Sequence, residues 1–227
     1  MPALREIDTD VWVAETPLRF VVEMGRRMTV IRVCEGELLI HSPADLTGEL
    51  RRELDALGEV RFVLPASSVH GHLSMEDYAA AYPRAELLAA PGLSKRRKDL
   101  DFAAELGEEP DQRWADVLDQ TVLRGHRLVD EVVFLHKPSR SLIVGDALFN
   151  IEAEAPLSTR LWAWGPRLRA AAKPAPLFRA GIRDRVAARE SIDRILSWDF
   201  NRVIVGHGAI IESGGRKAFS AAWSWLV

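Results

Sequence analysis

All six histidines of the chain sit at or just after the end of a short apolar run, and this constrains the fold more than any other feature of the sequence. His41 follows LLI, and His70 and His72 follow FVLPASSV. His126 ends TVLRGH, His136 ends VVFLH and His207 ends VIVGH. Apolar runs of this length, bounded by Gly, Pro and polar residues, read as buried strands. In a layered α/β protein, ligands and metals collect at strand ends and in the loops after them. Imidazole is a common metal ligand and proton carrier. The spacing therefore predicts one cleft lined with imidazole.

The remaining pattern supplies the layers. Residues 10–14 alternate polar and apolar and read as a strand. Residues 28–33 and 37–42 flank Cys34-Glu35-Gly36 as a hairpin with Gly36 at the turn. Thr47 caps a predicted helix with Leu50, Leu54 and Leu57 on one face, and Gly58 ends it. A buried strand over 60–64, a helix over 75–82 and a strand over 85–90 follow. Strands over 120–124, 131–136 and 141–146 have meander spacing, with Pro138-Ser139-Arg140 turning the last pair. A helix over 183–196, a strand over 201–206 and a closing helix over 214–227 complete the set. Two stacked sheets with helices outside would bury these faces. The expected fold class is α/β, a four-layer αββα sandwich forming a single domain over 1–227.

An excursion is expected at about 150–182. Residues 157–180 hold Trp162, Trp164, three Pro and several Arg, and read as a helical lid or partner-contact segment. The two tryptophans are two apart and do not share a helix face. A membrane-surface anchor would need a cleaner apolar stripe.

Composition narrows the function classes. Of 227 residues 48% are hydrophobic, enough for one large core. A net charge of -3 argues against a nucleic-acid partner. Cys34 is the sole cysteine, which excludes an intrachain disulfide and a Cys-rich zinc site and suits a reducing compartment. The first ten residues lack an apolar signal core, and no apolar run approaches the ~20 residues that span a bilayer. The expectation is a cytoplasmic protein with no membrane span. Neither a Gly-x-Ser-x-Gly nucleophile turn nor a Gly-rich phosphate loop is present.

Four places resemble the metallo-β-lactamase-fold superfamily, and together they cover most of the chain. ELLIHSP resembles the early strand that usually ends Asp-Thr-Gly, with His41 in the Asp place. VRFVLP and the loop with His70-Gly71-His72 resemble the His-x-His-x-Asp-His segment. LRGH at 123–126 and LIVGDALF at 142–149 resemble the third His and the bridging Asp, His126 and Asp146 lying 20 residues apart. VIVGHG at 203–208 resembles the final metal-binding His on its strand end. More narrowly, the chain resembles a bacterial branch of no settled activity that keeps the late Asp and His and has a degraded first metal motif.

Two registers fit that first motif. Read from His70, Ser74 takes the Asp place and Met75 the last His place. Measured back from Tyr82-Pro83, Ala66 and Ser68 take the two His places, His70 the Asp place and Gly71 the last His place. Both leave the second-metal ligands incomplete.

The resemblance implies a metal-dependent hydrolase of an ester, amide or phosphodiester. Catalytic zinc needs about three N/O protein ligands and one open position. The implied ligands are His70, His72, His126, Asp146 and His207, with Asp146 and His126 catalytic and His41 beside them. The ion would be zinc, or iron or manganese, and one ion rather than two. The substrate would be a small molecule, and a protein partner or a homo-oligomer is open. The alternative is a non-catalytic member of the fold that binds a small ligand or protein through the cleft or the Trp/Arg excursion. Asp146 also reads as a strand-end carboxylate accepting backbone N–H groups. His136, beside a turn, reads as a structural or surface residue.

Overall fold

The computed structural model describes residues 4–16, 25–151, 172–174 and 176–226, with the backbone alone at 176 and 177. Among these, the strands form two sheets. The first holds β1 (Arg5–Asp8), β2 (Val11–Thr16), β3 (Arg26–Cys34), β4 (Glu37–His41), β5 (Glu59–Leu64), β6 (Glu86–Ala89) and β7 (Ala104–Glu105), in that order. The second runs β11 (Arg202–Gly208), β10 (Ser141–Asn150), β9 (Glu131–His136), β8 (Leu118–Leu123). The helices are α1 (Gly48–Leu57), α2 (Met75–Ala81), α3 (Pro176–Gly181), α4 (Arg185–Ser197) and α5 (Gly215–Trp223). None of the described helices is long and apolar enough to cross a membrane.

The period-2 geometry of strands sorts the apolar runs into layers. On β4, Leu39 enters the core between the sheets, whereas Leu38 and Ile40 pack outward under α1 and α2. On β10, Ile143 faces the inter-sheet core, and Leu142 and Val144 pack under α4 and α5. On β11, Ile204 faces in, and Val203 and Val205 face out. Each strand is thus buried on both faces, which is why it reads as a continuous apolar run. The result is the expected αββα order. α1 starts at Thr47, whose side chain accepts the Leu50 N–H at 3.1 Å, a cap that contributes about 1 kcal/mol. Leu50 and Leu54 are fully buried, while Leu57 is only partly so.

Three differences from expectation have plain causes. β1 adds a strand because Arg5–Asp8 pairs with β2 through the backbone, without an apolar run. β10 runs four residues past the expected end at Asp146. Its parallel pairing with β11 is interrupted after Val144↔Val205 and resumes at Phe149↔His207. Five steps on β10 thus match two on β11, a bulge that turns Gly145–Leu148 out of register. Finally, α3 gives the end of the expected excursion a helical turn. Residues 152–171 and 175 of that segment, Trp162 and Trp164 among them, lie outside the described residues.

Candidate metal centre

Three side chains from three separate elements meet at one end of the sandwich. Asp146 comes from the β10 bulge, His207 from the end of β11 and His70 from the loop after β5. Their ligand atoms all lie within 4.8 Å of one another. His70 Nδ1 is 3.1 Å from Asp146 Oδ1, and His207 Nε2 is 3.5 Å from the same oxygen. The histidine side chains are 8% and 4% exposed, against 22% for Asp146. The carboxylate is therefore the member of the group nearest solvent.

Each member is held locally. Ser67 Oγ accepts the N–H groups of Val69 and His70, at 3.3 and 3.1 Å, and so shapes the His70 loop. The His70 ring then lies over Gly206. A Cβ at Gly206 would sit 2.9 Å from His70 Cε1 and 3.0 Å from the Gly145 carbonyl oxygen, so glycine is what lets the ring approach. The His207 ring stacks on Phe149, with centroids 4.8 Å apart and planes at 23°. Its Nδ1 donates to the Gly25 carbonyl at 2.6 Å. A carbonyl only accepts, so Nδ1 carries a hydrogen, and Nε2 is the ring atom turned toward Asp146. Arg27, buried in β3, donates to the carbonyls of Val205 and Gly208 and to Glu15, which ties the His207 end of β11 to the first sheet.

The charges at the site oppose and reinforce one another. Burial works against ionisation of Asp146, but the His70 charge and the hydrogen bonds from His207 and His70 outweigh it and hold the carboxyl well below the usual range. Burial also works against a charged His70, yet the Asp146 carboxylate raises its pKa on balance. Glu131 at the start of β9 is fully buried, and burial followed by the Asp146 charge pushes it up to about 7. Its carboxylate accepts the N–H groups of Gly145 and Asp146 at 2.7 Å and of Ala147 at 3.0 Å.

The six histidines do not line one cleft. His72 lies two residues past His70 in sequence, but its carbonyl accepts from Arg97 at 2.9 Å and its Nδ1 is 3.5 Å from the same guanidinium. The Nδ1 of His126 accepts the N–H groups of Leu128 and Val129, both at 3.1 Å. Its ring stacks on Phe178 at 4.9 Å, with Nε2 against Gly181, where a Cβ would come within 1.8 Å. His126 is therefore seated against α3, outside the His70–Asp146–His207 group. His41 is buried at the end of β4, edge-on to Phe134 at 5.7 Å. Burial, and then the charge of His70, lower its pKa to about 3. His136 is fully buried, not at the surface, with Nδ1 2.7 Å from Ser139 Oγ. His70 thus joins the group and His72 does not.

Sequence reading passed over Glu131, Arg27 and the Gly25 carbonyl. Glu131 carried one usable signal, a charge opening an otherwise apolar strand whose six residues are all buried. The other two contacts depend on where β3 and β11 meet, and no local pattern announces that.

Two sheets between helices, with an acid and two imidazoles at the strand ends, define a protein of the metallo-β-lactamase fold. Solved structures agree. A metallo-β-lactamase from Pontibacter korlensis superposes with a TM-score of 0.69 at 10% identity, covering 100% of this chain and 99% of its own. The metallo-β-lactamase FIM-1 from Pseudomonas aeruginosa, in its mono-zinc form, gives 0.66 at 9% identity over 99% and 94%. The metal-soaked Flv1 flavodiiron core from Synechocystis sp. PCC6803 gives 0.69 at 9% identity over 99% of this chain and 60% of that one. Within that fold, the chain belongs to the family described as "Domain of unknown function (DUF4336)", which matches residues 9–176. No curated protein matches the sequence.

Proposed function

We propose that the protein is a metal-dependent hydrolase with a single ion held by His70, Asp146 and His207. The observation that carries this reading is the meeting of His207 Nε2 and Asp146 Oδ1 at 3.5 Å, with the ring held from behind by its Nδ1–H bond to the Gly25 carbonyl. An imidazole nitrogen and a carboxylate oxygen that close, with His70 beside them, form a ligand set able to share one cation. Ligand atoms at ~2.1 Å from a tetrahedral ion lie about 3.4 Å apart; the two separations from the Asp146 oxygen, 3.1 and 3.5 Å, bracket that value, and all three ligand atoms lie within 4.8 Å of one another. Imidazole with carboxylate suits zinc, and also manganese or iron. Three protein ligands leave a coordination position open, as catalytic sites require.

When bound, the ion would supply Lewis acidity toward an ester, amide or phosphodiester. The chain's own residues divide the remaining work. Asp146, the most exposed of the three, is placed to accept a hydrogen bond from water entering the cleft and so to orient it. His207 keeps its Nδ1 hydrogen on Gly25, which fixes the ring's direction. The buried sides of both imidazoles close the inner wall to solvent.

Protein purified without chelator and loaded with zinc, manganese or iron(II) should hold about one ion per chain by elemental analysis. It should also hydrolyse at least one member of a panel of nitrophenyl esters, cyclic amides and phosphodiesters, and lose that activity to chelator. Metal content well below one per chain after loading sinks the reading. A second reading, a metal-binding cleft without turnover, is favoured by one observation: His126 Nδ1 is engaged by two backbone N–H groups rather than by the centre. It predicts metal uptake with no hydrolysis across the panel.

A further inference from the structure

We infer that Glu131 is a positioning residue of this centre: it sets Asp146 through the backbone of the β10 bulge and braces the His70 loop against it. The inference rests on the metal reading above.

Glu131 is 0% exposed, and no ion pair engages it among the described residues. Its hydrogen bonds run to backbone instead. Oε1 accepts from Gly145, and Oε2 accepts from both Asp146 and Ala147. Those three N–H groups fall where β10 has left both neighbours. Pairing with β9 is last seen at Ile143↔Phe134, and pairing with β11 is suspended between Val144 and Phe149. Without Glu131, three donors of the bulge, those of Gly145 and Ala147 buried, would lose the acceptor that stands in for the strand ladder. With it, consecutive peptide planes around Asp146 are aimed at one carboxylate, which fixes the direction in which Oδ1 leaves the backbone.

The same residue reaches the other limb of the site. Ser67 forms an antiparallel bridge with Glu131, and the Val132 N–H donates to the Ala66 carbonyl at 2.8 Å. Ser67 Oγ in turn accepts from His70. The fit is close, since a Cβ at Gly145 would lie 2.6 Å from Ala66 Cβ and 3.4 Å from Glu131 Oε2. One side chain thus sits between the strand that carries the acid and the loop that carries an imidazole. Replacing a group that orients a metal ligand from behind typically weakens metal binding by about 10–100-fold.

The test compares Glu131→Gln and Glu131→Asp with the unaltered chain and with His207→Ala. Zinc affinity is read by competition with a chromophoric chelator. Ligand geometry is read from the cobalt(II) absorption spectrum. Urea unfolding of the chelated proteins reports folding separately. Glutamine keeps the shape but sets an NH₂ against backbone N–H donors. We expect folded Glu131→Gln to bind zinc about 10–100-fold more weakly, with an altered cobalt spectrum, and Glu131→Asp to fall between. Unchanged zinc affinity and an unchanged cobalt spectrum in folded Glu131→Gln would overturn the inference while leaving the metal reading intact. No zinc binding by the unaltered chain would overturn the metal reading itself. Should the variants fail to fold, hydrogen exchange of the unaltered protein decides. The amides of Gly145, Asp146 and Ala147 are expected to exchange slowly with and without zinc. Exchange as fast as that of exposed loop amides overturns the inference.

Discussion

The centre has two halves of different construction. Asp146 and His207 stand on neighbouring strands of the second sheet, with packed layers on both faces. His70, His72 and His126 stand on the loops after β5 and β8. The strand half delivers both of its groups to one point. The loop half delivers one of three, because His72 follows Arg97 and His126 settles against α3. A strand end fixes side-chain direction through register. A loop fixes it only through the contacts that happen to surround it.

The strongest way to break this comparison is to attack the strand half. His207→Ala or Asp146→Asn should abolish metal uptake by elemental analysis, whereas His126→Ala should retain it. Retention in the first pair, or loss in the last, inverts the two halves. Next in size is Gly206→Val, which drives a side chain into the His70 ring and the Gly145 carbonyl. It should weaken zinc binding by about 10–100-fold and cost roughly 1–3 kcal/mol of stability as overpacking, read by chelator competition and by urea unfolding.

The opposite end of the sandwich supplies a contrast in pH. Burial lowers the His136 pKa to about 4, so the folded chain keeps the ring neutral where the unfolded chain, near 6.5, takes up a proton. This stability is whole above pH ~6.5 and drains away as pH falls toward 4. His136→Asn should remove this share of the dependence, leaving that of His41, and lessen the loss between pH 7 and pH 5 by about 2 kcal/mol. Denaturant titrations at the two pH values check this, and parallel slopes in both proteins would refute it.

Smaller effects sharpen the loop half. His126→Ala leaves the Leu128 and Val129 amides without their acceptor and should cost about 1–2 kcal/mol, read as a shifted unfolding midpoint. His72 meets Arg97 chiefly through its carbonyl, so His72→Ala should change stability by less than ~0.5 kcal/mol. A large effect on metal content from His72→Ala would bring that residue back into the centre.

What could be read from sequence follows the same division. Runs such as VVFL and LIV are buried on both faces, so the strands and their layering were visible in them. Asp146 and His207 were visible because each follows such a run and ends or bends it. His72 and His126 have the same local signature as His70, and only tertiary neighbours separate the three. The last residues of β10 were hidden because the bulge breaks the alternation just where Asp146 signals an end. Glu131 was hidden because a charge in an apolar strand looks like a boundary, when here it is an acceptor for backbone buried beside it.

Arg27 and Val205 are 178 positions apart, yet one guanidinium joins them. During synthesis the first sheet emerges long before β11 does. Until then Arg27 is a cation at an apolar sheet face, with Glu15 as its partner and two carbonyls still missing. β11 both covers that charge and supplies the two carbonyls it needs, so the first half gains these contacts only once the second arrives. His207 closes its bond to Gly25 in the same docking step. The centre is therefore assembled last, by the segment that completes the sandwich, and a chain cut short of β11 is expected to carry neither the site nor a settled first sheet.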